Sequence, residues 1–83
     1  MYVSLSKQAN KYLDKCTPKT YDKLKKAIDG LETFNGDISK LEGRKDEYRL
    51  KKSPYRIIFE YIMGSNEIFI KGIYPRGDAY KKG

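Results

Sequence analysis

The fold class predicted for this 83-residue chain is α+β: helices packed on one face of a twisted, mostly antiparallel sheet. Three observations lead there. A short alternating run, Tyr2-Val3-Ser4-Leu5, opens the chain as a strand. Two stretches with apolar residues at helical spacing follow. From Glu47 onward the apolar period falls to two. Helices grouped before strands, rather than alternating with them, favour segregated layers over a parallel doubly wound sheet. A chain this short is one domain, 1–83.

Ser6 is an N-cap candidate, and Ala9, Tyr12, Leu13 and Cys16 form a stripe with Lys7, Lys11 and Lys15 off it. Cys16 reads as a small core-facing apolar group, because no His stands beside it to activate the thiol. Thr17-Pro18 breaks this helix and starts the next, since proline costs nothing where the amide lacks an internal acceptor. Tyr21, Leu24, Ala27, Ile28, Leu31 and Phe34 then trace one helical face. Asn35-Gly36 supplies a left-handed stop. The two helices, joined by a tight turn, form an antiparallel hairpin.

Residues Asp37 to Asp46 are polar, with Ile38 and Leu41 as the apolar exceptions, and are expected to form a loop. Tyr48 and Leu50 alternate with Arg49 and Lys51 in a strand ending at the Ser53-Pro54 turn. Tyr55 to Met63 is apolar on both faces, as a central strand should be. Gly64-Ser65-Asn66 marks a hairpin loop, Glu67 to Tyr74 the last strand, and Pro75 its end.

Lysine plus arginine number 18 against 11 aspartate plus glutamate, a net charge of +7. That field attracts polyanions, either nucleic acid or an acidic protein. The chain has no His and one Cys, so an intrachain disulfide is excluded and the commonest zinc ligand is missing. No apolar run approaches the roughly 18 residues of a membrane span. The first residues lack the pattern of a signal peptide, so a cytoplasmic location is expected.

If Tyr48 and Leu50 face the helices, Arg49 and Lys51 point the other way. Arg56, between Tyr55 and Ile57, shares that open side, and Arg76 can approach it after the last strand. Lys52 continues the same basic run. Guanidinium groups so placed suit the charge that grows on phosphate oxygens during phosphodiester cleavage. Lys51 can act as a base where neighbouring cations favour its neutral form. Tyr80 can stack on an unpaired base. The same residues also suit a charged sheet face that only keeps the protein soluble. Glu47, Glu60 and Asp78 are expected to be salt-bridge or surface residues.

The ordered set Leu41-Glu42-Gly43, Tyr48-Arg49-Leu50-Lys51 and Tyr55-Arg56-Ile57-Ile58-Phe59-Glu60, followed by Arg76 and Tyr80, resembles the RelE/ParE toxin superfamily. The likeness covers nearly the whole chain. It implies a RelE-like fold of first strand, helical hairpin and twisted antiparallel sheet. It also implies the toxin of a type II toxin–antitoxin system, acting as a metal-independent endoribonuclease without a cofactor. Such enzymes cleave mRNA in the ribosomal A site by 2′-hydroxyl attack on phosphorus. By the resemblance, Lys51, Arg56, Arg76 and Tyr80 are catalytic, and Arg49 and Lys52 bind RNA. Arg56 would hold the phosphate, Arg76 would lie near the leaving group and Tyr80 would stack on a base. Arg49 stands where the best-known members carry lysine. The implied partner is an acidic, partly disordered antitoxin. Two other functions share the scaffold: inhibition of DNA gyrase in the manner of ParE, and non-catalytic RNA or protein binding.

Overall fold

Ser6 and Thr17 decide where the helices begin. In the computed structural model, which describes residues 1–75, the Ser6 side chain accepts from the Ala9 amide and opens α1 (Lys7–Lys15). Thr17 accepts from the Thr20 amide and opens α2 (Pro18–Gly30), with Pro18 in its first turn. Each cap satisfies an amide that a helix start leaves without an internal acceptor, a contribution of about 1 kcal/mol. Ala9, Leu13, Leu24 and Ile28 line the buried side of the hairpin. Tyr21, expected on the core face, is instead 39% exposed, one turn ahead of Leu24, the first α2 residue the core encloses. No helix among the described residues is long and apolar enough to cross a membrane.

The strands are β1 (Tyr2–Leu5), β2 (Asp37–Lys40), β3 (Glu47–Lys52), β4 (Tyr55–Tyr61) and β5 (Glu67–Pro75). They form one sheet in the order β1-β5-β4-β3-β2. The β1–β5 pair is parallel and the other three are antiparallel. This is the expected α+β arrangement, with β4 in the centre. Leu50, Ile57, Phe59, Ile68, Ile70 and Ile73 meet the helix residues Ala9, Leu13, Leu24 and Ile28 in one core. Fully burying side chains of this size stabilises by roughly 1.5–3 kcal/mol each.

Two strand boundaries differ from expectation. Asp37 to Lys40, expected as part of a loop, is the edge strand β2. Ile38, opposite Leu50, is its one apolar anchor, and an edge strand needs no more to pair with β3. A single apolar residue in four carries no period for a sequence to show. The central strand ends at Tyr61 rather than Met63, and Met63 is 83% exposed in the hairpin loop.

The left-handed stop after α2 falls on Phe34 (φ 55°), not Asn35, with Gly36 positive two residues later (φ 129°). A left-handed non-glycine residue costs roughly 1–2 kcal/mol. The Phe34 ring offsets that cost by packing edge-on to Tyr48 (centroids 5.8 Å apart) and Phe59 (6.0 Å), and against Tyr61 (5.3 Å). Tyr48 and Phe59, direct partners across β3 and β4, are stacked beneath it.

This balance gives a test. Phe34→Ala loses the rings' contacts and keeps the strained backbone, a destabilisation of about 3 kcal/mol. Phe34→Gly loses the same contacts but relieves the strain, and should be about 1 kcal/mol more stable than Phe34→Ala in urea denaturation. A glycine variant no more stable than the alanine variant would show that the backbone at Phe34 stores no strain.

Candidate functional site

Pairing register turns the strand sequences into a grid. Residues directly opposite one another project from the same face of a sheet, and neighbouring strands lie about 4.8 Å apart. Asp37 faces Lys51, Lys51 faces Arg56, and Arg56 faces Tyr74. These four make one row across the face opposite the helices. The adjacent row is Ser39, Arg49, Ile58 and Gly72. Lys51, Arg56 and Arg49 therefore meet on one patch of rigid sheet. Lys52 faces Tyr55 and so projects from the helix-side face, where it lies exposed beside the turn, apart from the other three. Arg76 and Tyr80 lie outside the described residues.

Arg56 is the buried charged residue among those described, at 7% exposure. Its Nη1 donates to the Tyr55 carbonyl oxygen at 3.2 Å. Burial leaves the guanidinium far less freedom than a surface arginine has. Lys51 lies next to it on the exposed part of the row. Tyr55 is anchored from the other side, against Tyr12 (centroids 6.2 Å, edge-on) and within 3.3 Å of the Thr20 hydroxyl. The helical hairpin thus braces the start of β4, where Arg56 sits.

The open face changes character along its strands. Beyond the second row, Glu47 faces Glu60, and Glu60 faces Phe69. Two carboxylates opposite one another repel. The Lys71 ammonium answers this by pairing with Glu47 at 2.9 Å, and Arg44 adds a second contact at 3.3 Å. The Lys71 hydrogen bond, with the charges of Lys71 and Arg44, holds the Glu47 carboxyl below its ordinary value of 4.5. Glu47 is thus a salt-bridge residue, as expected. The basic patch is confined to the end of the sheet where β3 finishes and β4 begins.

Tyr74 and Lys71 escaped the sequence reading. A signal was present. Ile68 and Ile70 keep a spacing of two, but the next core residue is Ile73. The extra residue is a bulge: Ile58 pairs with Gly72 and Phe59 with Ile70, leaving Lys71 between. Gly inside a strand commonly marks such a bulge or a close approach.

No protein-family model and no curated protein sequence matches the chain. Solved structures do. The RelE–RelB complex of Pyrococcus horikoshii OT3 contains a chain 30% identical, over 93% of this chain and 96% of that one, with a TM-score of 0.76. The chain belongs to the RelE family. The isolated RelE toxin of E. coli matches at 22% identity, 98% and 92% coverage and TM-score 0.74. The RelB–RelE antitoxin–toxin complex of Methanococcus jannaschii matches at 20%, 94% and 95%, and 0.73. At these last two identities the likeness concerns the RelE fold alone.

The Glu47 pair predicts an acid limb of stability. A carboxyl held below its unfolded value stabilises the fold fully above about pH 4.5, and that contribution is lost as pH falls through the lowered folded value. Between roughly pH 6 and pH 3, the wild-type urea midpoint should therefore fall further than that of Glu47→Gln. Parallel profiles for the two proteins would mean that the Lys71 contact contributes nothing.

Proposed function

We propose that this RelE-family chain is the toxin of a type II toxin–antitoxin pair and an endoribonuclease acting on mRNA in the ribosomal A site. The observation that carries this reading is the row in which Lys51 and the buried Arg56 stand side by side on a rigid sheet. A phosphodiester laid across that row meets a fixed guanidinium fork and an ammonium about one strand spacing away.

The reaction is attack of the ribose 2′-oxygen on the adjacent phosphorus. The bond to the 5′-oxygen breaks, leaving a 2′,3′-cyclic phosphate and a 5′-hydroxyl. Arg56 takes up the charge that grows on the non-bridging oxygens. Lys51 lies one column nearer the sheet edge and assists departure of the 2′-hydroxyl proton. Arg49, on the next row, binds the neighbouring backbone phosphate. Arg76 and Tyr80 keep the roles the family resemblance implies, at the leaving group and the base. Lys52 adds to the field that attracts RNA. Aligning the nucleophile, phosphorus and leaving group supplies much of the rate in such a reaction.

The partner is an antitoxin with an acidic, partly disordered segment that folds over the basic rows and neutralises them. The neighbours from P. horikoshii and M. jannaschii, whose structures are complexes with RelB, support an antitoxin as the partner.

Lys51→Ala and Arg56→Lys should each lower the cleavage rate of mRNA in a translating extract by about 100-fold or more, with circular dichroism unchanged. Full cleavage by both variants would remove the clamp. Brief induction in cells, with mapping of mRNA 5′ ends and of plasmid supercoiling, tests the target. New ends within translated frames are expected, and intact mRNA with altered supercoiling would replace the ribonuclease with a gyrase inhibitor.

A further inference from the structure

Tyr74 has a posture that its neighbours explain. Two positions earlier on the same face is Gly72. A Cβ built on Gly72 would lie 2.6 Å from Tyr74 Cζ and 2.7 Å from Cε2, and closer still to the phenol oxygen. The phenol end of the ring therefore lies across the glycine, down along β5 instead of upright from the sheet. Any side chain at position 72 would push it away. The phenol end of the ring thus covers Gly72, and Tyr74 as a whole stays half-buried, with part of its surface open to solvent.

Tyr74 is the next column of the row that holds Lys51 and Arg56. Two cations followed by a flat aromatic surface, about one strand spacing from the nearer cation, match the parts of a nucleotide: a charged backbone and a base. Resting on the last strand, with Ile58 on the adjacent row, the ring offers a π face of the kind that single-stranded RNA-binding proteins use. Stacking there is tolerant of base identity, because every base has a π face.

We infer that Tyr74 is a base-stacking platform. It would hold the nucleobase next to the phosphate at Arg56, and Gly72 is the residue that lets the ring lie down. This subsite rests on the nucleic-acid reading above and is separate from any role of Tyr80. It predicts a preference for unpaired RNA, since a base inside a duplex has no free face to offer.

The test uses a single-stranded, fluorescein-labelled oligoribonucleotide with 2′-O-methyl groups, which removes the attacking hydroxyl and leaves binding alone. Anisotropy is measured for wild type, Tyr74→Phe, Tyr74→Leu and Tyr74→Ala, with one abasic position walked along the strand. Tyr74→Leu and Tyr74→Ala should each bind about 10-fold more weakly, the order expected for one lost stack. Tyr74→Phe should retain the binding. One abasic position should weaken wild type by a similar factor while leaving Tyr74→Ala unaffected. Tyr74→Leu keeps Gly72 covered, so a purely structural role predicts wild-type binding for it and would overturn the platform. Equal sensitivity of wild type and Tyr74→Ala to every abasic position would also overturn it. Binding by wild type that survives Lys51→Ala and Arg56→Lys undiminished, or no binding at all, would instead overturn the nucleic-acid reading, and the platform with it.

Discussion

Leu50 faces Ile57 across the β3–β4 pair, and both are closed off from water. Tyr48 and Phe59, two residues along, stack on the same side. Shifting β3 by one residue would turn Tyr48 and Leu50 toward solvent and bring Arg49 and Lys51 into the core, and shifting β4 would do the same to Ile57 and Phe59 in exchange for Arg56 and Ile58. A slip of that kind exchanges the entire buried set of a strand for its exposed set. The core therefore enforces the register, and the register sets Lys51 beside Arg56. The arrangement of charge on the open face follows from packing on the closed one.

The helical hairpin contributes through the same constraint. Phe34, in its left-handed conformation, closes the aromatic cluster over Tyr48, Phe59 and Tyr61 at one end of the sheet. Tyr12 and Thr20 hold Tyr55 at the other end, beside Arg56. Both ends of β4 are thus braced from the helix side. A buried guanidinium on a strand so braced has few conformations available, and preorganised charge is what stabilises a developing anion at little reorganisation cost. At the other end of the face the carboxylates of Glu47 and Glu60 stand among Lys71 and Arg44, which balances the charge there and leaves the unbalanced positive field beside Lys51 and Arg56.

Much of this was legible in the residues themselves. The change of period at Glu47 separated helices from sheet, and alternation placed Arg49, Lys51 and Arg56 on one side before any pairing was known. What alternation cannot supply is which residue lies opposite which. Tyr74 belongs to the row because a bulge at Lys71 moves it into step with Arg56. The bulge shows in the sequence only as an Ile70-to-Ile73 spacing of three. Lys52 belongs to the basic run in sequence but not in space, because each step along a strand changes face. The edge strand Asp37–Lys40 was hidden because one apolar residue has no period. Phe34 was hidden because its conformation is set by rings distant in sequence.

The central claim is that the basic rows of the open face are where RNA binds. Its most direct test is a titration of the isotope-labelled protein with a 2′-O-methylated single-stranded oligoribonucleotide, following backbone amide shifts. Perturbations centred on Arg49, Lys51, Arg56, Ile58, Gly72 and Tyr74, with α1, α2 and the exposed Tyr2 and Phe69 unmoved, are the predicted result. Perturbations centred on the lysines of α1 and α2, with the basic rows unchanged, would contradict the account.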